Sequence, residues 1–198
     1  MGSFGETVRR QGAKGFLEGK LLIAMPGMPD PRFERSVVFM CVHSENGAMG
    51  LIVNKPFAGL GFGELMKKLE IEVTARNSES PVLFGGPVDT EKGFVLHSGD
   101  YASVDATLAV TDGVSLTATR DVLCAIGGES GPQNWLFALG YAGWGAGQLE
   151  DEIAANGWVH CEADRHLLFE VAHESRWRAS LAKLGIDLSG LSAEAGRA

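Results

Sequence analysis

Val37-Val38-Phe39-Met40-Cys41-Val42-His43-Ser44-Glu45-Asn46-Gly47-Ala48-Met49-Gly50-Leu51-Ile52-Val53-Asn54 holds two apolar runs joined by a tight-turn signal. The first run is apolar from Val37 to Val42 without a break, the pattern of a strand covered on both faces. Asn46-Gly47 supplies residues that tolerate positive φ, so the chain turns back at once into a second strand, 49–54. Outward from this hairpin the same grammar repeats. Leu21-Leu22-Ile23-Ala24-Met25 reads as a buried strand stopped by Pro26-Gly27. Val82-Leu83-Phe84 runs into the turn Gly85-Gly86-Pro87, and Gly93-Phe94-Val95-Leu96-His97 follows. Thr107-Leu108-Ala109-Val110 and Val114-Ser115-Leu116-Thr117 flank a second hairpin signal, Asp112-Gly113. Residues 135–141 read as a central strand and 158–161 as a short one. Helices are predicted over 64–69, over 120–126 with Thr119 as cap and Gly127-Gly128 as stop, and over about 148–155. Trp177, Leu181 and Leu184 stripe a last helix, preceded by a loop at Ala172-His173-Glu174. Strands outnumber helices and hairpins outnumber βαβ units. The expected fold is α+β: one domain around a largely antiparallel sheet with flanking helices, covering 15–198 behind a flexible tail, 1–14.

Composition agrees with one folded domain. A chain of 198 residues buries roughly 70% of its unfolded surface. Hydrophobic residues make up 45% and charged residues 21%, which excludes a disordered chain, a coiled coil and a membrane bundle. Twenty-seven glycines point to many turns and close backbone approaches. A net charge of −8 argues against direct nucleic-acid binding, because phosphate backbones are held by Lys and Arg. Cys41, Cys124 and Cys161 are far apart and form no CxxC pair, so neither a disulfide framework nor a zinc site is expected. The longest early apolar run is too short for a signal or a span. A cytoplasmic location with no membrane contact follows, and the oligomeric state has no sequence signature.

Among candidate chemistries, Cys41 and His43 come first. Strand alternation sends residues 41 and 43 to one face, about 6.6–6.8 Å apart. An imidazole there favours the thiolate that redox or nucleophilic chemistry needs. The alternative is that Cys41 is a buried, inert core thiol; Cys124 and Cys161 read as ordinary packing residues. A binding surface is the other candidate. The loop 26–35 is stiffened by three prolines and carries Asp30, Arg32, Phe33 and Arg35; the turn at Asn54 and Lys55, and Gln148 beyond a glycine turn, add polar groups. Trp144 is expected under that turn. The same residues can instead lock the fold, with Asp30 and Arg35 as internal hydrogen-bonding partners. Gly143-Trp144-Gly145-Ala146-Gly147-Gln148 is not a dinucleotide fingerprint, and the acidic first turn after it repels anions. His160, Cys161, Glu162, Asp164, His166 and His173 lack metal-ligand spacing, so no metal and no cofactor is expected. The basic residues of the last helix, Arg176, Arg178 and Lys183, are flanked by acids and make no recognition helix. No GxSxG or Ser/His/Asp order appears.

Two long runs carry a family resemblance. Gly19-Lys20-Leu21-Leu22-Ile23-Ala24-Met25-Pro26-Gly27-Met28-Pro29-Asp30-Pro31-Arg32-Phe33-Glu34-Arg35-Ser36-Val37-Val38 and the stretch from His43 to Pro56 resemble the bacterial YqgE/AlgH family. Phe84-Gly85-Gly86-Pro87-Val88, the run from Gly140 to Ile153, and the tail from Arg176 to Asp187 with its closing Ala-Gly-Arg-Ala are similar to it as well. The resemblance spans about 16–198. It implies one α+β domain with a partly barrel-like sheet in a cytosolic bacterial protein. That family is commonly labelled transcriptional regulator and has no established biochemical activity; it often carries Cys at the position of Cys41. Departures are the glycine-rich Gly59-Leu60-Gly61-Phe62-Gly63 and Arg197, where the family tail usually has His. The sequence thus points first to a regulatory protein that binds a protein or small-molecule partner, with a Cys41 redox function and direct DNA binding as alternatives.

Overall fold

The hairpin forms where the sequence places it: β2 (Val37–Ser44) and β3 (Gly47–Ile52) pair antiparallel, with Ser44 opposite Gly47 and Val38 opposite Ile52. Gly47 sits at φ 132 beside the carbonyl of Trp144, a conformation and an approach that a side chain would prevent. The computed structural model describes residues 15–186, so the expected tail 1–14 and the closing Ala-Gly-Arg-Ala lie outside the described residues.

Around this hairpin the described residues build a ten-stranded, mainly antiparallel sheet that curls into a half-barrel. β1 (Lys20–Ala24) lies between β2 and β10 (Trp158–Glu162), and β3 passes the sheet on to β9 (Trp135–Gly145). Beyond β9 come β6 (Val88–Ser98), β8 (Val114–Thr117) and β7 (Thr107–Thr111), the last two joined at Asp112-Gly113. β5 (Pro81–Phe84) joins β9 in parallel and carries β4 (Pro56–Gly61) on its other side. β9 therefore serves three partners, and its eleven residues outrun the strand 135–141 expected from sequence. The crossing of β5 with β9 depends on Gly86, where a Cβ would stand 2.1 Å from the carbonyl carbon of Tyr141.

Among the described residues five α-helices flank the sheet: α1 (Phe62–Lys68), α2 (Ala75–Ser78), α3 (Arg120–Gly127), α4 (Gln148–Ala154) and α5 (His173–Lys183). α3 begins after Thr119 as predicted, but the threonine side chain makes no capping bond. α5 starts within the expected loop: His173 and Glu174 are already helical. A π-helical turn, His166–Glu170, precedes it. Among the described residues no helix is long and apolar enough to cross a membrane.

β2 explains the packing. Val37, Phe39 and Cys41 enter one core with Trp177 and Leu181 of α5, while Val38 and Met40 enter a second with Trp144, Leu149 and Trp158. Each of the larger fully buried apolar side chains contributes about 1.5–3 kcal/mol relative to exposure. A third core gathers Phe62, Met66, Val82, Ile126 and Phe137 where α1 and α3 close over β5 and β9.

Candidate functional site

The expected Cys41–His43 pair is not assembled. Met40 pairs with Gly50 and Val42 with Met49, so Cys41 is the extra residue of a β-bulge. A bulge reverses the alternation beyond it. Cys41 stays with the first core, and His43 turns to the side of Ala48, Leu17 and Glu150. The His43 ring accepts the Leu17 N–H on Nδ1 at 3.0 Å, so Nε2 carries the proton it gives to Glu150 at 2.8 Å. Cys41 is 3% exposed and directs its Sγ to the Phe39 carbonyl. Burial pushes its thiol up to about 12, the reverse of activation. Cys161 is also buried, but Cys124 is exposed on α3 rather than packed.

The other eight candidates are brought together, and most of their polar groups are bonded within the fold. Asp30 caps the single turn Pro31–Phe33 through the Arg32 N–H at 2.9 Å and grips the Arg32 guanidinium at 2.7–3.1 Å. These bonds hold the Asp30 carboxyl below its usual range. Lys55 Nζ donates to the Arg32 carbonyl at 2.7 Å. Asn54 spans the left-handed Arg35: its Oδ1 accepts the Val37 N–H at 2.8 Å and its Nδ2 donates to the Arg35 carbonyl at 2.9 Å. The Arg35 guanidinium lies 5.7 Å over the Trp177 ring. Phe33 is half-buried against Trp144 and Trp158, with ring centroids at 6.3 and 5.6 Å. Glu152 closes the group: Oε2 accepts both indole N–H groups, at 3.0 and 2.8 Å, and Oε1 accepts Gln148 Nε2 at 2.9 Å. Gln148 Oε1 in turn accepts the Gly145 N–H at 3.0 Å. This end of the molecule is a clamp that fixes the loop: Asp30 bonds Arg32, whereas Arg35 takes part through its carbonyl and its contact with Trp177 rather than as a side-chain hydrogen-bonding partner.

A different region is open. Between α2, the start of β9 and the π-helical turn lies a hollow of about 570 Å³, next to a second of about 290 Å³. They share Ser80, Trp135 and Phe169. Trp135 rests on Phe62 at 4.7 Å between centroids, which fixes the indole as a wall. Phe169 is presented by the widened turn His166–Glu170, held at its start by Asp164 Oδ1 accepting the Leu167 N–H at 2.8 Å. Asn77, at the first hollow, is aimed by its bond to the Ile126 carbonyl at 2.9 Å.

Arg176 lines the second hollow, yet only 1% of it is exposed. Its Nη1 donates to the Val53 carbonyl and, at 3.2 Å, to His173 Nδ1; Nη2 donates to the Val171 carbonyl at 2.7 Å. Nε has no hydrogen-bond partner, and no carboxylate pairs with Arg176 among the described residues. Burial alone draws its pKa down to about 10, so the guanidinium remains charged at neutral pH. Burial and then the Arg176 charge lower the pKa of His173, leaving it a neutral acceptor. Sequence reading grouped Arg176 with Arg178 and Lys183 as the basic residues of the last helix. The signal that could have placed it inside is its position beside Trp177 and one turn before Ser180, on the buried stripe of α5. Among the described residues no group of three His, Cys, Asp or Glu side chains is placed to hold a metal.

Comparison with known proteins fits this architecture. The model of the family described as AlgH-like matches residues 21–189. The chain belongs to the AlgH-like family. The UPF0301 protein of Caulobacter vibrioides is 53% identical over 184 residues, covering 92% of this chain and 94% of that one. The UPF0301 protein of Bradyrhizobium diazoefficiens is 50% identical over 206 residues, covering 98% and 96%. Among solved structures, the AlgH protein from Pseudomonas aeruginosa superimposes with a TM-score of 0.76 at 41% identity, covering 96% of this chain and all of that one. A Corynebacterium diphtheriae protein at 19% identity and a TM-score of 0.68 shares the fold. The sequence resemblance to this family thus holds, as does the α+β half-barrel it implied.

Proposed function

We propose that this AlgH-like chain is a cytoplasmic regulatory protein that works by binding a small molecule in the cleft walled by Trp135 and Phe169. The observation that carries the reading is the cleft itself. Its volume of about 570 Å³, with a neighbouring hollow of about 290 Å³, lies in the range that cofactor- and ligand-sized molecules fill. Its aromatic wall is braced from behind, and the rest of the first hollow is mainly polar, with Arg76, Asn77, Glu129 and Gln133 around it. The alternatives find less support. The net charge of −8 opposes a phosphate backbone, and α5 turns Arg176 inward and exposes Arg178 beside a Lys183 tied to Asp164 at 2.5 Å. Cys41 lacks both access and an activating partner.

The test is complementation of a deletion strain. Ser80 stands in the wall common to both hollows, so Ser80→Trp fills the cleft without touching the Asp30–Arg32 clamp. The strain carrying Ser80→Trp should show the transcript profile of the deletion, while Arg32→Ala should restore the wild-type profile. Full restoration by a folded Ser80→Trp protein removes the cleft from the function.

A further inference from the structure

A charged group buried without a counter-charge needs explanation. Removing a guanidinium from water costs several kcal/mol, offset in most proteins by a carboxylate. At Arg176 two backbone carbonyls and a neutral imidazole supply hydrogen-bond acceptors but no negative charge. A guanidinium has five N–H donors, and its Nε and Nη2 form the side-on edge that matches two oxygens of a carboxylate or phosphate. On that edge Nε is unpartnered and Nη2 has a single carbonyl. The carboxylates lining the cleft, Glu129 and Glu170, are exposed, and Glu170 is bonded to His166 at 2.9 Å. Arg76, also exposed in the first hollow, adds a second cation at the entrance.

Arg176, a buried cation whose Nε has no partner, thus lines the same hollow as the braced aromatic wall of Trp135. We infer that the cleft takes an oxyanion-bearing small molecule, with its carboxylate or phosphoryl group on Arg176 and its flat apolar part on Trp135. The inference rests on the cleft being the working site and adds the ligand's chemical class. A neutral ligand of the same shape leaves the guanidinium uncompensated. The anion gains a charge-assisted, bidentate contact in a water-poor setting, where such bonds are about twice as strong as neutral ones.

The test uses the full chain and three small probes: benzoate, phenyl phosphate and neutral benzamide. Binding is followed by NMR at the Trp135 indole N–H and the Arg176 Nε–H. One of the two anions should bind saturably, shift both signals, and do so at least tenfold more tightly than benzamide; which anion binds better tells carboxylate from phosphoryl recognition. Raising the salt to 0.5 M should shrink that ratio. Arg176→Met, which keeps the apolar stem, should bring the three probes to equal affinity. Should that variant not fold, the salt dependence and the Arg176 signal of the wild type decide alone. Equal binding of all three probes at Trp135 overturns the anion assignment and leaves the cleft as a site for neutral ligands. Anion shifts confined to Arg76 at the entrance overturn it as well. If no probe moves the Trp135 signal, the cleft reading itself falls.

Discussion

Glu152→Ala is the substitution that the clamp makes most costly. Glu152 accepts three hydrogen bonds, two from indole N–H groups of Trp144 and Trp158 and one from Gln148. The tryptophans are 7% and 2% exposed, so their N–H groups have little access to replacement water. A buried donor left unsatisfied costs about 1–3 kcal/mol. Glu152 is itself half-buried, and water entering the vacated space offsets part of the two losses. The net destabilisation is about 2–4 kcal/mol, which at roughly 2–4 °C per kcal/mol for a domain this size lowers Tm by about 4–16 °C. Glu152→Gln keeps one carbonyl oxygen for the indoles and should cost about 1 kcal/mol. Gln148→Ala, at an exposed position, should cost less still. Urea unfolding followed by tryptophan fluorescence measures all three, and an unchanged m-value assigns the effect to the folded state. A Glu152→Ala loss below about 0.5 kcal/mol would refute the view that this end of the molecule is a structural clamp.

Other outcomes follow from the same structure. In the folded protein Cys124 should alkylate first, and Cys41, with its thiol pushed up to about 12, should stay silent up to pH 9; peptide mass spectrometry distinguishes them, and early labelling of Cys41 contradicts its placement. Burial lowers the pKa values of His97 and His173, so the unfolded chain binds protons first and stability rises with pH across this range. Stability should therefore decline as pH falls below about 6.5, and His97→Gln should flatten that slope; a denaturation midpoint constant from pH 7 to 5 would count against it. Gly86→Ala, meeting Tyr141 backbone at 2.1 Å, should cost more than about 3 kcal/mol or abolish folding. Gly59→Ala, at φ +77 with nothing within 4 Å, should cost about 1 kcal/mol.

What could be read from sequence divides along the distance over which its physics acts. The two hairpins were legible because Asn46-Gly47 and Asp112-Gly113 turn the chain locally and the flanking apolar runs pair with their neighbours. Asp30, Arg32, Phe33 and Arg35 were legible as one group, since proline stiffness puts them on short tethers, but their meeting with Trp144 of β9 and Gln148 of α4 was not. The side shared by Cys41 and His43 was not. Alternation holds only in an unbroken ladder, and the bulge at Cys41 comes from how Gly50 and Met49 meet β2, with no mark in the local sequence. Arg176 was hidden for a stronger reason. Its burial depends on the Val53 carbonyl, 123 residues away, and a charged residue on a helix face gives no hint of which carbonyl it will meet. Trp135 read correctly as the start of a strand, but the hollow in front of it belongs to Ser80 and Phe169, far away in the chain.

The most direct test of a cleft that binds small molecules is to mix isotope-labelled full-length protein with the low-molecular-weight fraction of the cells that make it. Amide and indole NMR signals then report where binding occurs. The account predicts shifts at Asn77, Ser80, Trp135 and Phe169, reversed on dialysis. Shifts confined to the loop 26–35 and α4, with the cleft signals unmoved, would contradict it.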